Sequence, residues 1–261
     1  MSIDLTTLLR AYAAGHFPMA DDRDARSLYW VKPNERAILP LDGFHASRSL
    51  RKTVRTERFE VTVDTAFAQV LATCAQSAAD RPETWINQDI EMAFNRLHRR
   101  GLAHSVECWA GEGAARTLVG GLYGLALGRA FFGESMFSRA TDASKVAMAW
   151  LVARLRVGGF TLLDCQFMTP HLASLGAVEV SAEAYSLLLG AALDDGTGAL
   201  SGDFGALDAL AAGGPAADAF SAASGEGASD DSAVRLVRSA ERTVSGPVSG
   251  QLIAQLITQT S

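Results

Sequence analysis

The chain has 261 residues, 48% of them hydrophobic, and a formal net charge of −6. That length suits one large domain or two small ones with a proper core. No apolar run approaches the roughly 18 residues of a membrane-spanning helix. The first residues also lack the basic stretch and apolar core of a secretory signal.

The elements in chain order have a mixed α+β pattern. Residues 5–14 place Leu5, Leu8, Leu9 and Tyr12 at helical spacing, and Gly15 and Pro18 end the helix. Residues 59–63 alternate as a strand. Helices are predicted over 65–74 and 90–100, the second closed by Gly101. Residues 103–110 and 117–126 read as paired strands joined by a hairpin at 111–116, and a third strand starts at 130–133. A long helix over 144–157 ends at Gly158-Gly159; a buried strand at 160–164 and a short helix at 183–189 follow. A strand meander, then a helix crossing to a further strand, is how N-acetyltransferase (GNAT) domains are built. That is analogy at the level of fold and says little about chemistry.

Composition changes near residue 195. Beyond it Ala, Gly, Ser and Asp dominate, and few large side chains offset the entropy of ordering. We expect 1–40 to form a small N-terminal domain, 41–195 a GNAT-like transferase domain, and 196–261 a low-complexity, largely disordered tail. The more apolar end of that tail, from Val248 to Ile257, suits a short helix. The tail has seven acidic and three basic residues, so the first 195 carry only −2. Within them Arg48, Arg51, Lys52, Arg55 and Arg58 face one acid, Glu57, between positions 45 and 58. Such a cluster either solvates a helix face or tracks phosphates. Cys74, Cys108 and Cys165 are odd in number and lack metal-like spacing, which fits reduced thiols in the cytoplasm and no metal.

Two stretches put polar groups in apolar company. Glu134 follows Phe131-Phe132-Gly133 and precedes Ser135-Met136-Phe137. It either points to solvent at a strand end or binds a cationic group or an acceptor amine, since a carboxylate is rarely buried without a partner. Leu162-Leu163 ends abruptly in Asp164-Cys165-Gln166. On an extended strand Asp164 and Gln166 point to one side, at a strand end where ligands gather, or Asp164 merely ends the strand. Cys165 points the other way and is read as packing, not as a nucleophile. Among the aromatic residues Trp30, Trp85, Trp109, Phe17 and Phe94, Trp85 follows Pro82-Glu83-Thr84 in a loop and is placed to stack a base. Ser47 and Ser49 are candidate caps for a helix carrying the basic cluster. No GxxxxGK[ST] run is present, and the place where an acetyl-CoA pyrophosphate loop belongs holds Ser138-Arg139-Ala140-Thr141-Asp142-Ala143-Ser144-Lys145. A CoA donor is therefore disfavoured.

Nine stretches, in order and spanning about residues 5–190, together resemble the bacterial leucyl/phenylalanyl-tRNA–protein transferases. They are Ala11-Tyr12 with Gly15-His16-Phe17-Pro18, His45 to Leu50, Thr84-Trp85-Ile86, Leu97 to Trp109, Leu118 to Gly124, Gly133 to Ser138, Ala143-Ser144-Lys145, Asp164-Cys165-Gln166, and His171 to Ala177. The resemblance implies an enzyme that moves Leu or Phe, less readily Met, from tRNA to the α-amine of proteins beginning with Arg or Lys. Its product enters the N-degron route of protein degradation, and neither metal nor CoA is needed. The resemblance makes Asp164 and Gln166 catalytic, with Asp164 polarising Gln166 and Gln166 receiving the acceptor amine. Glu134 would hold the substrate's amine or the adjoining ribose. Trp85 would stack the terminal adenosine, with Met19 and Phe94 near it. Leu122, Phe131, Met136, Met148, Leu151, Leu155 and Leu163 would form the side-chain pocket. Arg48, Arg51, Lys52 and Arg55 would meet the tRNA backbone. Four positions depart from the family pattern: Met19 stands where many members have Trp, Phe94 where they have Tyr, and Leu151 and Leu155 where some have larger aromatics.

Overall fold

The computed structural model describes residues 3–76, 84–193, 201–212 and 248–258. Helix α1 (Leu5–Ala13) is capped by Asp4, whose carboxylate accepts from the Thr7 N–H. Gly15, at φ +80°, turns the chain out of α1 into β1 (Phe17–Met19), which pairs antiparallel with β2 (Tyr29–Val31). The main sheet has seven strands in the order β4-β5-β6-β7-β8-β3-β9. Its strands are β3 (Glu35–Ile38), β4 (Glu60–Val63), β5 (Ala103–Ala110), β6 (Thr117–Leu127), β7 (Ala130–Ser138), β8 (Leu162–Gln166) and β9 (Val178–Ser181). The other helices are α2 (Arg48–Arg55), α3 (Phe67–Cys74), α4 (Gln88–His98), α5 (Ala143–Val157), α6 (Pro170–Ser174), α7 (Ala182–Leu193), α8 (Ala206–Ala211) and α9 (Gly250–Thr258).

Strands β4 to β7 form the expected antiparallel meander, and α5 crosses so that β8 lies parallel to β7. Apolar clusters cover both faces of the sheet. One joins Leu122, Phe131 and Leu163 to the buried side of α5; the other joins Tyr123, Phe132 and Leu162 to α1, α3, α4 and α7. Strand β3 lies within the first 40 residues yet sits inside the main sheet between β8 and β9. Periodicity missed β1, β2, β3 and β9, which have three or four residues each; β4 is as short, but Phe59 before it lengthens the alternation.

Parts of the expected disordered tail are ordered. Residues 201–212 pack on the α5 side of the sheet, where Phe204 stacks on Phe131 and on His104. There the buried Arg154 guanidinium makes a bidentate pair with Asp208. Helix α9 falls where the apolar pattern put it and buries Leu252, Ile253, Leu256 and Ile257. Average composition hid these few large side chains among small ones. The remainder of 196–261 lies outside the described residues, as do Pro82 and Glu83.

Candidate active site

The parallel pair β7–β8 ends in a cleft. Its register runs Ala130↔Leu162, Phe131↔Leu163, Phe132↔Asp164 and then stops, so Glu134 and Gln166 lie past the last pair. Both strands carry a bulge there. On β7 the register steps from Gly124↔Gly133 to Tyr123↔Ser135, which makes Glu134 the extra residue. On β8 it steps from Ile38↔Asp164 to Ala37↔Gln166, which makes Cys165 the extra one, and Gln166 adopts φ +58°. The cavity formed has a volume of about 670 Å³, within the range for small-molecule sites.

The bulge overturns the simple alternation expected of Asp164 and Gln166. Gln166, Cys165 and Glu134 line the cavity, whereas Asp164 is fully buried beside it. Cys165 thus faces the cleft that strand geometry had turned it from. Burial pushes its thiol far above the usual range, with the Asp164 carboxylate adding to the effect.

Asp164 is saturated with donors. Its Oδ1 accepts from Arg36 Nε at 2.9 Å and from the Gln166 backbone N–H at 2.8 Å. Its Oδ2 accepts from Arg36 Nη2 at 2.6 Å and from the Tyr185 hydroxyl at 2.8 Å. Arg36 is equally enclosed: Nη1 donates to the Gly15 carbonyl, and the guanidinium lies over the rings of Phe17 and Tyr185 at 4.7 and 4.5 Å. Asp164 therefore binds Gln166 through the backbone and sets its left-handed turn. The Gln166 amide is left to donate from Nε2 to Glu134 Oε1 at 3.3 Å. Burial pushes the Glu134 carboxyl up to about 8, and the nearby Asp164 charge adds to this; the Tyr12 hydroxyl and Arg36 pull it back. At neutral pH Glu134 is largely a neutral acid that can donate a hydrogen bond.

Met19 and Trp85 share one side of the cavity with Phe17 and Phe167. The Trp85 loop is held by the Ala20 N–H, which donates to the Trp85 carbonyl, and by Asn87, which caps α4. Leu122, Met136, Met148, Leu151 and Leu163 line the same space, with Phe137. Phe94, Phe131 and Leu155, expected there, do not line it. Phe94 packs edge-on against Tyr12 and Tyr123 in the core between α1 and the sheet. Phe131 faces α5 and stacks on Phe204 at 5.6 Å. Leu155 lies one helical turn beyond Leu151, ~6 Å farther along α5, and is fully buried there. The basic cluster does not reach the cavity. Leu50 and Val54 pin α2 inward, and Arg48, Lys52 and Arg55 are exposed on its outer side, with Arg51 half-buried. Ser47 is the cap of α2 and Ser49 is not.

The pattern missed Arg36, Tyr185 and Tyr12, which meet Asp164 and Glu134 from other elements. Arg36 left a trace as a cation running into Ala37-Ile38-Leu39, and Tyr12 stood out only as part of a helix face and a family stretch. Among the described residues no cluster of three or more His, Cys, Asp or Glu is disposed to hold a metal. None of the described helices is long and apolar enough to cross a membrane.

Comparison with known proteins adds identity to this geometry. Residues 1–34 match the model of the leucyl/phenylalanyl-tRNA protein transferase N-terminal domain, and residues 38–190 match that of the leucyl/phenylalanyl-tRNA protein transferase. The leucyl/phenylalanyl-tRNA–protein transferase of Rhizorhabdus wittichii is 57% identical over 260 residues, covering 100% of this chain and 99% of that protein. That of Paramagnetospirillum magneticum is 61% identical over 187 residues, covering 71% of this chain and 87% of that protein. For Zymomonas mobilis the figures are 58% over 183 residues, 70% and 67%. Two family models that together span most of the chain, and a relative that matches it end to end, lead to one conclusion: this chain belongs to the leucyl/phenylalanyl-tRNA protein transferase family.

Proposed function

We propose that this enzyme moves Leu or Phe, and less readily Met, from aminoacyl-tRNA to the N-terminal α-amine of proteins that begin with Arg or Lys. Aminoacyl transfer from tRNA to protein follows from the family. The choice of acceptor, the cytoplasmic setting and the N-degron outcome are our reading. The observation that carries it is the cavity itself: an apolar and aromatic pocket lined also by the nearly buried Gln166 amide and Glu134 carboxyl.

In this reading Met136, Met148, Leu151 and Leu163 surround the Leu or Phe side chain, and Trp85 stacks the terminal adenosine. Phe17 and Phe167 supply further aromatic surface beside Met19, the position at which many members of the resembled family have Trp. Glu134 bonds the donor's amine or ribose. Gln166 receives the acceptor amine as its nitrogen attacks the ester carbonyl. The new C–N bond forms, the C–O bond to the ribose breaks, and the amine's proton ends on the departing ribose hydroxyl. Asp164, with every acceptor site taken, contributes by holding Gln166 in place. We read 1–40 as the unit that walls the adenosine side, and Arg48, Arg51, Lys52 and Arg55 as the contacts to the tRNA backbone.

The test is incubation with radiolabelled Leu-tRNA and a protein starting with Arg. Transfer of label is the expected result. No transfer would sink the proposal, and acetyl transfer from acetyl-CoA would replace it with N-acetylation.

A further inference from the structure

Helix α9 lies beyond the family match, which ends at residue 190, and it covers the inner side of the basic helix α2. Gly250 begins α9 at the C-terminal end of α2, where its N–H donates to Glu57 Oε1 at 2.8 Å. A Cβ on Gly250 would sit 2.1 Å from the Val54 carbonyl oxygen, so the two helices touch there backbone to backbone. Leu252, Ile253, Leu256 and Ile257 of α9 then share one apolar cluster with Leu50 and Val54 of α2 and with α5. Arg156 of α5 donates to the carbonyls of Leu256 and Leu41, which ties the end of α9 to the segment leading into α2.

These contacts matter because α2 has only eight residues. Isolated helices shorter than ~12–15 residues are marginal in water, so packing decides where α2 stands and whether it stays helical. Once Leu50 and Val54 are clamped, Arg48, Lys52 and Arg55 are presented together on the outer side. Residues 248–258 carry no charged side chain. They offer an anionic partner no cation of their own, and their apolar face links them to the helix that carries exposed cations.

We infer that α9 is a positioning element for tRNA: it holds the basic helix at a set place relative to the cavity, so that the acceptor stem meets the cations while its aminoacylated end enters the cleft. This rests on the reading that α2 contacts the acceptor stem.

The test uses the full chain with Ile253→Asp, which puts a charge into the α9–α2–α5 cluster, and Gly250→Ala, which forces α9 away from the Val54 carbonyl without adding a charge; circular dichroism and Tm confirm that each variant is folded. Each is assayed with an Arg-starting peptide as acceptor and two donors, Leu-tRNA and 3′-O-leucyl-adenosine. The small donor has no acceptor stem. The expected result is a rise of about fivefold or more in KM for Leu-tRNA. The dependence of log affinity on log salt should also become shallower by about one unit, corresponding to one lost phosphate contact. The kcat with either donor, and KM for leucyl-adenosine, should stay within twofold. The inference is overturned if KM for Leu-tRNA is unchanged in both variants, or if leucyl-adenosine transfer falls in step with it. Arg48→Gln with Lys52→Gln separates the premise from the inference. An unchanged KM for Leu-tRNA in that double variant removes the tRNA reading of α2 and the inference with it. A raised KM there, with none in the α9 variants, overturns the inference alone.

Discussion

Arg36→Met is the sharpest perturbation of the site, because it removes one half of a buried ion pair and leaves the other half in place. Arg36 is 1% exposed and Asp164 0%. The substitution deletes the guanidinium bonds to both carboxylate oxygens and to the Gly15 carbonyl, leaving Asp164 only the Gln166 N–H and the Tyr185 hydroxyl. An uncompensated buried charge costs about 3–5 kcal/mol. For a body of this size that lowers Tm by roughly 6–20 °C. Adding Asp164→Asn to Arg36→Met removes the stranded charge and should restore about 2 kcal/mol or more. Guanidinium denaturation followed by circular dichroism measures all three proteins. A loss below ~1 kcal/mol, the range of an exposed ion pair, or no recovery in the double variant, would refute the reasoning.

Glu134→Gln should leave Tm unchanged near pH 4 and raise it above wild type at pH 8–9, because the native carboxyl near 8 costs stability as pH rises from about 4.5 through 8; equal melting curves at pH 9 would contradict its burial as an acid. In single-turnover assays Gln166→Ala should lower the transfer rate by about 10²-fold or more, with little change in Tm, while Asp164→Asn should lower rate and Tm together because it holds Gln166 by the backbone. Leu151→Phe narrows the cavity and should shift preference from Phe-tRNA toward Leu-tRNA by roughly 10-fold, read as a ratio of kcat/KM. Phe204→Ala should cost about 3 kcal/mol or more by opening a cavity between Phe131 and His104, although the residue lies beyond the family match; an unchanged Tm would mean that residues 201–212 do not belong to the core.

Much of this protein could be read before any coordinates. The long helix α5, the meander and the strand ending in Asp164 follow from apolar period and glycine placement, which are local properties. The chemistry-bearing groups Glu134 and Gln166 stood out because a polar residue in apolar company has to be explained by a partner or a ligand. Tertiary structure decided how those groups relate. Two one-residue bulges reverse the side of the strand on which Cys165 and Glu134 lie, and a bulge leaves no periodic mark. Arg36 reaches Asp164 across 128 residues, so no local window contains both. Phe131 and Leu155 were sorted away from the cavity by packing against Phe204 and the far end of α5, and Phe204 itself was masked by a small-residue segment. Residue types determined what chemistry is available here; long-range packing determined that Asp164 is fully engaged while Gln166 and Glu134 line the cavity.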